Sequence, residues 1–482
     1  MKIEFNTKRK STDEITVRPR FGKNTGKSSA SQPGTKLAEL TFHIQKTESV
    51  LQISLGRKAE STPSRIRNVG GIVAQALRER GIRRATLDPS DFSDPSHDDL
   101  VSFLEGMKLG NYTFDRHKTT ATRNQLVFAV PASAVNASVR KRIAQAMAVC
   151  EATNTARSLG HEPPNIINPV TLAAYCKKMA KAWGLGCKVL DDKQLTRMKA
   201  NGIVQVGIGS KTRSRLIILT YPGRTGSPKS RSQSTRAKST KSQPVALVGK
   251  AITFDTGGYS LKDKNGIVGM KYDKCGGMAV IGAMHAVATA GCRTPVIGVI
   301  AAAENMISGE AYRPNDIITM LNGKTVEIIS TDAEGRMVLA DALTYTEREY
   351  KPRLMIDLAT LTGGVVVALG NQRAGIMSND DALTRKLLEA GEAVNEKLWQ
   401  LPLDDEYLEL IRGDDSDLKN SGGRAAHAII GGTFLKQFVN EGTPWAHLDI
   451  AGMGDVEKDT PICPKGATGF GVRLIYEFLS NL

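Results

Sequence analysis

Residues 248–274 read VGKAITFDTGGYSLKDKNGIVGMKYDK, and the fold turns on how this stretch is parsed. The apolar run Val245–Val248 leads into it as a strand. Five glycines, Gly249, Gly257, Gly258, Gly266 and Gly269, then let the backbone turn sharply. Such turns bring Lys250, Asp255, Lys262 and Asp273 together, which is the composition of an active site. Taken alone, the same spacing also suits a solvated, charge-paired surface.

A second segment, Ser330-Thr331-Asp332-Ala333-Glu334-Gly335-Arg336, shifts that balance. It follows an expected strand, Thr325–Ile329, and opens an expected helix, Met337–Tyr350. Its polar groups therefore fall at the carboxyl end of a strand, where open α/β sheets hold ligands. By itself TDAEGR could be no more than a helix N-terminus whose acids complement the helix dipole. Together, the two segments resemble the M17 leucine aminopeptidases, also called cytosol aminopeptidases. The likeness includes the lysine, aspartate, lysine, aspartate series and the whole TDAEGR core. It extends to AAENM at 302–306, YRPND at 312–316, GKTVE at 323–327, DLATLTGG at 357–364, SDLKN at 416–420, GGR at 422–424 and KGATGFGVRL at 465–474. It covers nearly all of residues 155–482.

Working outward, 482 residues exceed the usual size of one core, so two domains are expected. Leu51–Leu55, Ser64–Arg80, Arg84–Leu87 and Asp98–Leu109 alternate as strand, helix, strand and helix, giving a smaller α/β domain over 38–150 that resembles the family's N-terminal domain weakly. The helical run Val139–Arg157 links it to a catalytic domain, 151–482. There, strands at Lys188–Leu190, Leu216–Thr220, Val245–Val248, Val296–Ala301, Thr325–Ile329, Leu354–Leu358 and Ala446–Ile450 alternate with helices at Pro169–Gly184, Cys275–Thr289, 336–350, 382–397 and 427–438. A two-domain α/β protein follows, its larger domain built on a doubly wound, mostly parallel sheet.

The net charge of +16 is unevenly spread. Residues 1–37 and the insertion 222–244, GRTGSPKSRSQSTRAKSTKSQ with its flanking prolines, carry +6 each. Both read as flexible, solubilising stretches, a basic leader and a surface insertion between two strands. Some members of the family bind DNA, so DNA held by these segments is the alternative reading, and the less favoured one. No apolar run is long enough to cross a bilayer, and MKIEFNTKRK lacks a signal-type apolar region. With six scattered cysteines, which fit free thiols, this points to a cytoplasmic protein. His43, His97 and His117 lack metal-ligand spacing, and His161 is expected to be structural.

Hydrolysing an unactivated amide near neutral pH requires a strong nucleophile and a stabilised oxyanion, and two metal ions can supply both. The resemblance implies that Asp255 and Glu334 bridge two divalent ions. Lys250 and Asp273 then complete one shell, and Asp332 completes the other. Four carboxylates contribute −4, which two dications cancel if Lys250 binds as a neutral amine, far from its reference pKa of about 10.4. Zinc and manganese are the leading occupants, with cobalt or magnesium as alternatives. Lys262 is implied to polarise the substrate carbonyl and Arg336 to hold a bicarbonate ion that shuttles a proton. Met270, Thr360, Leu361 and Gly363 resemble substrate contacts, and Met453 is a further candidate pocket wall.

The expected function is removal of N-terminal residues, with Leu, Met and other apolar residues preferred; the resemblance further implies a homohexamer with its sites facing an interior cavity. A DNA-binding accessory role with secondary peptidase activity, and hydrolysis of Cys-Gly dipeptides, are the other readings. Departures from the family pattern occur at Gly160 and His161, at Ser330, and at Lys274, Gly277 and Met278. All seven expected metal and catalytic residues are present.

Overall fold

A computed structural model describes residues 1–6, 15–22, 37–44, 49–92, 96–120, 126–224 and 243–482. The chain forms two compact units, residues 1–151 with 457–465, and residues 152–456 with 466–482.

The first unit contains a six-stranded sheet in the order Lys2–Asn6, Val127–Pro131, Arg84–Leu87, Ile15–Gly22, Ser49–Arg57, Leu40–Ile44, parallel throughout except for the last pair. Helices Pro63–Glu79 and Asp98–Gly110 pack closely because Gly70 and Gly106 carry no side chain; a Cβ on either would lie 2.1 Å from Phe103 O or 1.8 Å from Arg67 O. The leader expectation fails over Lys2–Asn6 and Ile15–Gly22, which are strands of this sheet. Ile15 and Val17 are buried, while Arg18 and Arg20 meet Asp88 and Asp91 at 3.2 and 2.8 Å. Basic residues that read as a solvated tail are instead polar positions of a strand with acidic partners. The rest of that stretch, 7–14 and 23–36, lies outside the described residues, as does 225–242 of the insertion.

The second unit is organised on an eight-stranded sheet, Leu398–Gln400, Ala374–Ser378, Trp445–Asp449, Leu354–Ala359, Val245–Asp255, Val296–Asn305, Arg215–Tyr221, Gly186–Leu190. Trp445–Asp449 through Val296–Asn305 form a parallel centre, and antiparallel pairings flank it. The sequence order reverses around Val245–Asp255, which places a crevice at the carboxyl ends of the central strands. Side chains along that strand alternate between two helices. Gly249 approaches Gly277 of helix Cys275–Ala286 so closely that a Cβ would lie 2.6 Å from Gly277 Cα. Lys250 points the other way, against Gly335 of helix Glu334–Tyr350.

Two expectations are revised here. The strand runs to Asp255 rather than stopping before Lys250, so both residues sit on the sheet itself. Thr325–Glu327 is a three-residue strand outside the main sheet; it pairs with Ile317–Thr319 and Leu418–Lys419. Its hairpin turns at Gly323, with φ 98°.

Candidate active site

Six polar side chains converge around the carboxyl half of Val245–Asp255. Lys250 is buried, with Nζ 2.9 Å from both Asp273 Oδ1 and Glu334 Oε1 and donating to Thr360 O at 2.8 Å. Lys262, on the glycine-rich loop, places Nζ 2.8 Å from Asp255 Oδ2 and also pairs with Asp332 Oδ1. Asp255, Asp273 and Glu334 each offer an oxygen within 4.8 Å of the others. The loop can fold back because Gly257 and Gly258 take φ of 86° and 62°.

Each carboxylate is held by part of its hydrogen-bonding capacity. Asp255 Oδ1 accepts from Gly257 N at 2.9 Å and Asn305 Nδ2 at 2.8 Å. Asp273 Oδ1 accepts from Thr360 Oγ1 at 2.8 Å. Asp273 Oδ2 and Glu334 Oε2 are buried with no hydrogen-bond partner among the described residues. Buried carboxylate oxygens without donors are costly, and a cation between them removes the cost. The donor set, carboxylates with one lysine nitrogen, therefore fits divalent ions.

Burial, reinforced by the Asp255 carboxylate, pushes Glu334 up to about 8. Burial also raises Asp273 to about 6, against the pull of Lys250. For Lys250 burial opposes the charge, but Asp273, Glu334 and Asp255 override it and hold the ammonium well above its usual range. The lysines thus act as counter-ions to the acids. Arg336 is buried beside them and pulled down to about 10 by desolvation. Its Nη1 donates to Asn420 O at 2.9 Å, and its Nε has no partner among the described residues.

Of the expected substrate contacts, Met270 opens the short turn Met270–Tyr272 that leads to Asp273, and Thr360 touches Asp273 directly. Leu361 N donates to Asp449 Oδ1 at 3.1 Å, and Gly363 faces open space. Met453 is half-buried, its neighbour Gly454 lying against Thr360. His161 is buried and pulled down to about 4, chiefly by desolvation.

Sequence reasoning missed the residues that hold these groups. Asn305 joins Asp255 to Thr331 O, at 2.8 and 3.0 Å. Asn420 accepts from the Ile329 and Ser330 amides and donates to Ser330 O, fixing the approach to TDAEGR. Tyr312 OH donates to Thr331 O at 2.9 Å. All three lie in quoted motif text, AAENM, SDLKN and YRPND, but an isolated polar residue in a sequence does not reveal which backbone it braces.

The profile of the cytosol aminopeptidase family catalytic domain matches residues 154–476, and that of its N-terminal domain matches 30–121. The chain belongs to the cytosol aminopeptidase family. A probable cytosol aminopeptidase of Geotalea uraniireducens (strain Rf4) is 41% identical over 92% of this chain and 87% of its own. One from Geobacter sulfurreducens is 42% identical over 90% and 85%. Among solved structures, the bottromycin maturation enzyme BotP in complex with Mn aligns with a TM-score of 0.86 at 30% identity, covering 98% of this chain and 99% of that one. A tomato leucine aminopeptidase mutant aligns at 0.86 and 27%, covering 100% and 97%. Membership makes this chain a peptidase with a two-domain α/β fold, and among the described residues no helix is long and apolar enough to cross a membrane.

Proposed function

We propose that this chain is a two-metal aminopeptidase that removes the N-terminal residue from peptides, with Leu, Met and other apolar residues preferred. The observation that carries the reading is the buried trio Asp255, Asp273 and Glu334, two of whose oxygens lack donors among the described residues, set between Lys250 and Lys262. Asp255 and Glu334 would bridge the ions, Lys250 and Asp273 would complete one shell, and Asp332 the other. Two divalent ions, zinc or manganese first and cobalt or magnesium next, would supply an acidified water, a polarised carbonyl and a seat for the free α-amine.

The remaining roles belong to the chain's own groups. Lys250 must give up its proton to serve as an amine donor, and it can do so once other cations neutralise the carboxylates that now hold its charge. Lys262, 17% exposed and reaching in from the loop, directs its ammonium at negative charge developing on the substrate's carbonyl oxygen. Arg336, whose Nε has no partner among the described residues, would hold a small oxyanion such as bicarbonate, which would supply a proton carrier near the departing amine. Met270, Thr360, Leu361 and Gly363 contact the substrate's first residue, and the flexible methionine admits several apolar side chains. A cytoplasmic homohexamer is the assembly in keeping with this reading.

The test is hydrolysis of Leu-p-nitroanilide by chelated protein, before and after separate addition of zinc, manganese, cobalt or magnesium, with the N-acetylated compound as control. Metal-restored cleavage of the free-amine compound alone is expected. Cleavage of both compounds, or full activity after chelation, would overturn the reading.

A further inference from the structure

The departures at Gly160–His161 and at Lys274 are more than a hundred residues apart in sequence, yet they meet. Lys274 is wholly buried. Its Nζ donates to the main-chain oxygens of Gly160 and Glu162, both at 3.0 Å, and to that of Lys271. Three donors find three acceptors, so the ammonium is saturated by dipoles. Gly160 and Glu162 lie at the C-terminal end of helix Ala137–His161, where carbonyls lack intrahelical partners and the macrodipole is negative. The cation therefore belongs electrostatically to that helix end, even though it stands at the N-terminal boundary of Cys275–Ala286, which disfavours positive charge.

Gly160 is the second half of the arrangement. A Cβ there would lie 2.6 Å from Ala467 Cβ and 3.3 Å from Cys275 Sγ, so only glycine lets the helix end come this close. His161 sets its ring against Tyr272, centroids 6.0 Å apart at 84°. The turn before Asp273 is thus gripped at Lys271 by the lysine and at Tyr272 by the histidine. Asp273 itself is pinned through Oδ1 alone, leaving Oδ2 turned inward without a partner among the described residues.

We infer that Lys274 and the segment Gly160–Glu162 form a clamp that positions Asp273 for one of the two metal ions, so that two departures from the family pattern compensate each other. The inference rests on the proposed reading of Asp273 as a metal ligand. Lys274 is a positioning residue: it touches neither metal nor substrate in this scheme.

The measurement is manganese titration of chelated protein by calorimetry, with amide hydrogen exchange of residues 270–275 in the metal-free state. For Lys274→Met, affinity for one of two manganese ions should fall roughly tenfold or more, the other staying within about twofold, and exchange in that turn should speed up. Lys274→Gln, which keeps two donors, should fall between wild type and Lys274→Met and decides the matter if the methionine variant does not fold. Gly160→Ala, which displaces the helix end and leaves the lysine intact, should give the same selective loss. Wild-type affinity at both sites with unchanged exchange overturns the clamp, even if the melting temperature drops. Asp273→Asn separates the two ideas. Loss there but in none of the clamp variants sinks the clamp alone, whereas no loss anywhere removes the ligand reading beneath it.

Discussion

Gly335 lies so close to Lys250 that a Cβ on it would stand 2.6 Å from both Cε and Nζ of that lysine. Its helix, Glu334–Tyr350, would otherwise welcome alanine, by up to about 1 kcal/mol of helix propensity. Gly335→Ala therefore separates fold from site. The unfolding midpoint should remain close to that of wild type, while displacement of the ammonium from between Asp273 and Glu334 lowers kcat/KM for Leu-p-nitroanilide at least tenfold. Wild-type turnover in the alanine variant would mean that Lys250 does not need its observed place. At this scale the charged members of the site were legible through their resemblance to the family motifs, because charges at loop spacing equally suit a charge-paired surface. Asn305 and Asn420 were not, because their work is to hold backbone and carboxylate atoms that only the fold brings near. Lys274 was visible as an oddity, but its acceptors at Gly160 and Glu162 were not.

Helix Glu334–Tyr350 is fixed at its middle by Asp341, a fully buried carboxylate that accepts Leu321 N at 2.8 Å and Ile203 N at 3.2 Å. Burial pushes it up to about 7, against the hydrogen bonds that favour its charged form. The folded protein thus keeps a proton that the unfolded chain releases above about 4. The contribution of this group to stability is complete below that point and is lost as pH rises through about 7, at roughly 1.4 kcal/mol per unit. Asp341→Asn cannot ionise and can accept through only one oxygen, so it should be less stable than wild type at pH 4.5 and recover ground steadily toward pH 7.5. Urea midpoints of both proteins across that range check this, since every other titrating group is common to the pair. A constant difference would show that the carboxyl is already ionised in the fold. Elements such as this helix were readable from periodicity. Two of the strands went unread: Ala374–Ser378 opens on alanine and glycine, which are depleted in strands, and Leu398–Gln400 is three residues at the sheet edge. Thr325–Glu327 was read as a strand but assigned to the wrong sheet, because apolar alternation specifies extended backbone and not its partner.

Across the whole molecule, the distribution of the +16 charge bears on what the chain binds. The insertion leaves the second unit after Tyr221 and returns at Val245, and both residues pair with Val296 from opposite sides. At about 4.8 Å between neighbouring strands the two ends are roughly 10 Å apart, a gap that a short linker spans. They also mark the amino end of a strand whose carboxyl end is Asp255, roughly 30 Å away at about 3.3 Å per residue. Interactions between exposed charges are screened beyond a Debye length of about 8 Å at physiological salt. Replacing residues 225–242 with a short Gly-Ser linker removes Lys229, Arg231, Arg236, Lys238 and Lys241. It should leave kcat/KM for the uncharged-side-chain substrate within about twofold at 0.15 M salt. If the segment serves nucleic acid, the same deletion abolishes a salt-sensitive binding to duplex DNA that the intact chain displays, and peptide hydrolysis does not change. A fall in hydrolysis of tenfold or more would place the segment in the service of the active site after all. That result would mean that the segment acts at the carboxyl end of Val245–Asp255 although its anchors, Tyr221 and Val245, stand at the other end.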